Sequence, residues 1–171
     1  MNYAIELDPA KIVLSKKTGD WCLIPYHGHP KGCPNYGRVG CPPIGADPKK
    51  TFRERIITPV YMVYSEFDLK AHMKRMQKKH PDWSERQLRC VLYWQNTSRK
   101  QLRERVAHVI LTSGFEKHYT ITLYCPEAYG MNVYATAQKH GFKLERIRHL
   151  ETCHHIAIVG GVGALVEGVK K

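Results

Sequence analysis

The chain has 171 residues, with 27 Lys and Arg against 15 Asp and Glu, a net charge of +12, and six cysteines. A chain of this length buries a full hydrophobic core, so cross-links are no condition of its folding. No apolar run reaches the roughly 18 residues of a membrane span, and the opening MNYAIELDPAKIVLSKK lacks the basic, apolar and small-residue blocks of a secretory leader. The expectation is one soluble cytoplasmic domain over residues 1–171, without a membrane partner and with its cysteines kept reduced.

In chain order, the apolar runs Ile12-Val13-Leu14 and Trp21-Cys22-Leu23-Ile24 flank the turn-like Lys17-Thr18-Gly19-Asp20, which predicts a hairpin with Cys22 leaving a strand. From Pro25 to Pro48 glycine and proline dominate and exclude both helix and central strand. Val60 to Tyr64 reads as a buried strand. Asp68 is placed to cap a helix carrying Leu69, Met73 and Met76 on one face, and Pro81 ends it. Ser84 with Gln87 forms a capping box, and Leu88 to Ile110 keeps helical spacing up to Gly114. The polar insert from Gln95 to Lys100 is either a break, with Ser98 and Gln101 as a second capping box, or a functional surface.

The last third alternates. Tyr119 to Tyr124 is strand-like, Glu127 to His140 helical with Gly141 as its C-cap, and Leu144 to Leu150 and His155 to Val159 strand-like again. Gly160-Gly161-Val162-Gly163 reads as a turn or a phosphate nest. This interleaving predicts an α/β sandwich, a single domain with helices packed on a mixed sheet.

A structureless stretch of two dozen residues in a compact domain needs an organiser, and Cys22, Cys33 and Cys41 supply one. They define a metal-binding loop over about 22–48. Cys33-Pro34 and Cys41-Pro42 match the Cys-Pro that ends a bacterial ferredoxin ligand run. Gly32, Gly37 and Gly40 allow the backbone to turn tightly and present amides to anionic sulfur. An iron–sulfur cluster of the 4Fe–4S kind is the first expectation; zinc held by three thiolates and a nitrogen from His27 or His29 is the alternative. The fourth position falls to Cys90, His27, His29 or no side chain. Cys90 lies inside a predicted helix, where cysteine usually serves as a small buried residue. Cys125-Pro126 ends a strand, and Cys153 precedes His154-His155, so either thiol could stand nearby. Strand alternation sends Cys153 and His155 to one face and His154 to the other.

Together these pieces resemble a known family. Gly32-Cys33-Pro34-Asn35-Tyr36-Gly37, Cys41-Pro42-Pro43 and the segment from Pro126 through Glu127-Ala128-Tyr129-Gly130-Met131-Asn132-Val133 to Ala137, closing on Gly141, are similar to an uncharacterised prokaryotic family described as predicted metal-binding proteins. The resemblance covers much of residues 22 to 145. It implies Cys22, Cys33 and Cys41 as metal ligands and Pro126 to Gly141 as a shared structural or substrate-facing helix. It implies no reaction. Family members often carry a further cysteine cluster before the Pro-Glu-Ala segment; Leu111 to Tyr124 has no cysteine, so one centre is expected.

Three functions follow. The first is an iron–sulfur protein whose cluster either acts on a small anionic or sulfur-containing substrate or serves a redox or assembly partner, with His27 or His29 moving protons and Arg99 or Lys100 holding the anion. The second is a zinc-stabilised basic module that binds nucleic acid, although no nucleic-acid motif is present and the bases between Lys70 and Arg105 suit a solvated helix face equally well. Tyr61, Tyr64, Trp83, Tyr93 and Trp94 could stack bases there, but at such spacing aromatics usually belong to a core. The third is an accessory subunit of a larger redox complex, marked by an exposed apolar patch.

Overall fold

A computed structural model describes residues 2–25, 29–39, 41–43, 51–52, 56–115, 120–145 and 151–162. Four described strands form one sheet: β1 (Ala4–Leu7), β2 (Ile56–Asp68), β3 (Thr120–Leu123) and β4 (Thr152–Val162), in the order β1-β2-β4-β3. Period-two alternation decides what each face buries. Val60, Met62, Leu123 and Ile158 point to one side, where they meet Leu7, Ile12, Met131, Val133 and Ala137. Val63, Ala157 and Val159 point to the other, against Leu102, Val106 and Val109. Helices therefore cover both faces of the sheet, the α/β arrangement the sequence predicts.

The sheet itself departs from the mixed one expected, since every described pairing is antiparallel. The helical crossover leaves β2 and re-enters at β3 in the same direction, which on its own would create a parallel pair. β4 returns between them and pairs with both, so the two like-directed strands never touch. Gly160 and Gly161 lie inside this central strand, opposite β2 on one edge and Ile121 and Thr120 on the other. They form neither a turn nor a nest; Gly163 lies outside the described residues. The register of β2 shifts between Ile57 and Val60, which is where Pro59, lacking an N–H, can be tolerated in a strand paired on both sides.

The helices follow their local signals where these are strong. In α1 (Leu69–Lys79) the Asp68 carboxylate accepts from the Ala71 N–H at 2.7 Å, and the helix stops two residues before Pro81. The Ser84–Gln87 capping box opens α2 (Glu85–Leu88) as expected. The long helix expected from Leu88 is broken earlier than the sequence suggests, by a 3₁₀ turn at Val91–Tyr93. Helix α3 (Gln95–Thr112) then begins without a side-chain cap. Ser98 is buried inside it, so the second capping box does not exist. A 3₁₀ turn, Pro126–Tyr129, and Gly130 at φ +84° precede α4 (Val133–Lys139), whose N-terminus Asn132 caps. Among the described residues, no helix is long and apolar enough to cross a membrane.

The predicted N-terminal hairpin is replaced by a longer-range arrangement. Residues 12–15 run along the segment that leads into α4. Asn132 N–H donates to the Val13 carbonyl at 2.8 Å, Ser15 N–H to the Gly130 carbonyl at 2.7 Å, and Val13 N–H to the Thr136 hydroxyl at 3.0 Å. With Leu14 bridged to Met131, no edge remains for Trp21 to Ile24 to pair with. The chain instead winds from Lys16 to Leu23 as a 3₁₀ helix, capped by the Ser15 hydroxyl. Cys22 therefore leaves a helix, not a strand.

Candidate metal centre

Three stretches of chain meet at the end of β3. The first is the 3₁₀ helix Lys16–Leu23. Thr18, almost fully buried, lies with its hydroxyl 2.9 Å from both the Ser15 and the Glu127 carbonyl oxygens and fastens this helix to the 3₁₀ turn after Cys125. The second is the glycine-proline loop. Cys33 N–H donates to the Cys22 carbonyl at 2.6 Å, Cys41 N–H to the Arg38 carbonyl at 2.9 Å, and Gly37 N–H to the Pro42 carbonyl at 2.5 Å. The third is Cys125-Pro126, where β3 gives way to the turn.

The loop packs against the helix so tightly that a side chain is excluded at Gly32. A Cβ there would stand 2.3 Å from the Cys22 carbonyl oxygen, and φ of +83° is open to glycine at little cost. Gly19 in turn lies under Pro42, whose Cβ is 3.3 Å from where a Gly19 Cβ would be. Four thiols share this neighbourhood. Burial is the largest cause raising the Cys22 thiol above its ordinary value, and Cys33, Cys41, Cys125 and then Glu127 add to it. Cys125 is also raised, by burial first and then by Glu127 and Cys41, while Arg99 opposes the rise and Cys33 adds to it. Burial pushes the Glu127 carboxyl up as well.

The expected set is thus partly regrouped. Cys22, Cys33 and Cys41 stand together, half-buried and unbridged by disulfides. Arg99, at the start of α3, acts on Cys125 and also lowers His155, whose shift is due first to burial. Lys100 is exposed on the same turn. His29 is half-buried, and its carbonyl accepts from Gly32 N–H at 3.0 Å; His27 lies outside the described residues. Cys90 is elsewhere, as the residue preceding the Val91–Tyr93 turn, with its carbonyl accepting from Tyr93 N–H. Cys153 packs with Leu69 and Trp94, and its thiol is pushed up to about 11, chiefly by burial. Its neighbours on β4 divide as alternation predicts. His155 joins a chain in which Ser65 and Ser98 hydroxyls are 2.9 Å apart and Ser98 is 2.9 Å from the His155 Nδ1, while His154 faces Tyr64 and Phe142.

Cys125 is the residue that spacing undervalued. The signal was present in a third Cys-Pro step, matching Cys33-Pro34 and Cys41-Pro42. As the side chains stand, no three His, Cys, Asp or Glu among the described residues converge on one point as a ready cage for an ion. The thiols share a neighbourhood without sharing a centre.

No family model, curated protein or solved structure matches this chain.

Exposed apolar side chains neighbour the thiols in the chain. Trp21, Leu23 and Ile24 flank Cys22, Val39 precedes Cys41 by two residues, and Tyr124 precedes Cys125; all five are exposed, Val39 completely. Trp21 also meets the exposed Tyr134 of α4 edge to face, with ring centroids 6.4 Å apart.

Proposed function

We propose that Cys22, Cys33, Cys41 and Cys125 are the ligands of one iron–sulfur cluster, and that the protein uses this centre to serve a redox or assembly partner. The observation that carries the reading is that four thiols from three separate stretches of chain lie near enough for Cys33 and Cys41 to add to the rise that burial causes at Cys22 and Cys125, with the Cys33 N–H bonded to the Cys22 carbonyl. An all-sulfur donor set suits iron–sulfur chemistry, and soft thiolates select against hard cations. The loop is drawn against Cys22 at a glycine, which brings Cys33 close to Cys22. Membership of the family of predicted metal-binding proteins belongs to the same proposal.

When bound, such a cluster supplies one-electron transfer. The chain's own residues do the rest. Arg99 offsets negative charge gathered at Cys125. The Thr18 contact with Glu127 fixes the distance between the first and last ligands. Four cysteines satisfy the usual ligand count of a cluster, which leaves no position for a small substrate and favours a partner. The exposure of Trp21, Leu23, Ile24, Val39 and Tyr124 beside the thiols in the chain supports that choice, because exposed apolar surface marks docking sites. Reduced thiols are required, so the reading places the protein in the cytoplasm.

The test is anaerobic purification with iron and acid-labile sulfide analysis and an absorption spectrum. Loss of iron and sulfide in Cys22→Ser, Cys33→Ser, Cys41→Ser and Cys125→Ser, with retention in Cys90→Ser and Cys153→Ser, is the expected result. Colourless protein holding one zinc and no sulfide would overturn the cluster. Iron retained in Cys125→Ser would remove the fourth ligand and with it the argument for a closed site.

A further inference from the structure

Away from the thiols, the connection between α1 and α3 carries a second exposed feature. His80 and Trp83 stack with ring centroids 4.0 Å apart and planes 8° from parallel, and Trp83 stacks in turn on Tyr93 at 5.2 Å and 24°. This ladder is not core. Tyr93 is 55% exposed, its neighbours Val91 and Leu92 are 48% and 73% exposed, and His80 and Trp83 are half-buried.

The scaffold under the ladder is fixed before anything binds. Gln77 donates from its amide to the Pro81 carbonyl at 2.7 Å, Trp83 N–H donates to the His80 carbonyl at 3.1 Å, and the Ser84–Gln87 capping box holds the next turn. The 3₁₀ turn Val91–Tyr93 then brings Tyr93 back onto Trp83. A rigid platform of parallel rings loses little conformational freedom on receiving another planar group.

The charge around the platform is mainly positive, with Asp82 and Glu85 the acidic residues beside Trp83. Between residues 69 and 105 there are eleven Lys and Arg against three Asp and Glu. Lys78 and Lys79 close α1 immediately before His80, and Arg86 follows Trp83 by three residues. No described carboxylate lies within ion-pair distance of Lys74, Lys78, Lys79 or Arg86, whereas Arg89 is engaged with Glu85 at 2.8 Å. Planar stacking surface beside unneutralised cations is the combination that receives the bases and phosphates of a flexible strand.

The geometry points to single-stranded nucleic acid as the occupant of the His80–Trp83–Tyr93 face, with bases continuing the ring ladder and phosphates held by Lys78, Lys79 and Arg86. A duplex keeps its bases stacked on one another and cannot use the rings. A second protein copy or an apolar peptide would use Leu92 and Tyr93 but would gain nothing from Lys78, Lys79 and Arg86. The site is independent of the thiols and stands whether or not they bind iron.

The experiment is fluorescence anisotropy on the purified full chain with a labelled single-stranded RNA of about 16 nucleotides, the DNA of the same sequence, and the corresponding duplex. Both single strands should bind more tightly than the duplex, and a preference between RNA and DNA identifies the natural source. Tyr93→Ala should weaken binding about tenfold and Tyr93→Phe should retain it. Joint replacement of Lys78→Gln and Lys79→Gln should lower the slope of log affinity against log salt by about 1.4. Circular dichroism confirms that each variant folds, and the lysine pair, on the surface, serves if the Tyr93 variants do not. No binding at low salt, equal binding of duplex, or indifference to both the Tyr93 and the lysine replacements overturns the inference. Self-association that Tyr93→Ala abolishes, without any binding of nucleic acid, overturns it in favour of a second copy.

Discussion

The main-chain N–H of Cys33 donates a 2.6 Å hydrogen bond to the carbonyl of Cys22, at the point where Gly32 passes too close for any side chain. The first two thiols are therefore positioned by backbone. Gly32→Ala forces a Cβ toward that carbonyl, and Gly37→Ala provides the control, having the same φ of +83° but nothing within 4 Å of the added carbon. Gly37→Ala should cost about 1–2 kcal/mol in urea denaturation, from conformation alone. Gly32→Ala should cost more and also reduce the metal bound per chain. Equal effects on both would show that the close approach has no consequence.

Thr18 links the two ends of the candidate centre through its hydroxyl, whose single proton is shared between the Ser15 and Glu127 carbonyls. Thr18→Val keeps the shape and removes the donor. It should destabilise by about 1–3 kcal/mol, measured by thermal or denaturant unfolding, with a larger loss of metal affinity than an exposed threonine such as Thr97→Val produces.

Ser98 stands between Ser65 and His155 with 2.9 Å contacts on either side, and both serines are buried. Ser98→Ala leaves a buried hydroxyl and a ring nitrogen without their partner, at a cost of about 1–3 kcal/mol. In a double-mutant cycle, Ser65→Ala should cost less in the Ser98→Ala background than alone. Additive costs would mean that the chain does not act as a unit.

Acid should weaken the fold through two histidines. Burial lowers His72, with Arg75 adding to the effect, and burial followed by Arg99 lowers His155. Each ring accepts a proton more readily when unfolded, so the unfolded chain binds more protons below the ordinary histidine value of 6.5. Their contribution is complete above that value and declines as pH falls from it toward the lowered folded values. Thermal midpoints should drop over that interval, and His72→Leu should flatten the slope. An unchanged slope in both His72→Leu and His155→Gln would exclude these rings as its source.

The signals readable in the sequence were those that act within a few residues. The Asp68 cap, the Ser84–Gln87 box, Gly141 at φ +75° and the run through Val60 to Tyr64 all stand where local chemistry puts them. The failures share a cause. Trp21 to Ile24 could not be read as 3₁₀ helix because the strand partner expected for residues 12–14 was displaced by Met131, more than a hundred residues away. Gly160 and Gly161 look like a turn until β2 and β3 are in place on either side. In the candidate centre, Cys22, Cys33 and Cys41 are close in sequence and were readable as a group. Cys125 becomes their neighbour through long-range contacts such as Thr18–Glu127 and Ser15–Gly130, for which no local pattern exists.

That separation has a consequence for how the molecule is made. Roughly eighty residues lie between Cys41 and Cys125, including both long helices and strands β2 and β3. On an emerging polypeptide the first three thiols are available early, while the fourth appears only after α3 and β3 have been synthesised. A cluster delivered too soon would meet three ligands and a solvent-filled gap. Delivered after β4 has paired with β2 and β3, it would tie the two halves of the chain together and restrict the unfolded state by an amount on the order of 4 kcal/mol, as a covalent bridge over such a span does. If the proposed cluster is bound, the order of synthesis would make its loading a late event.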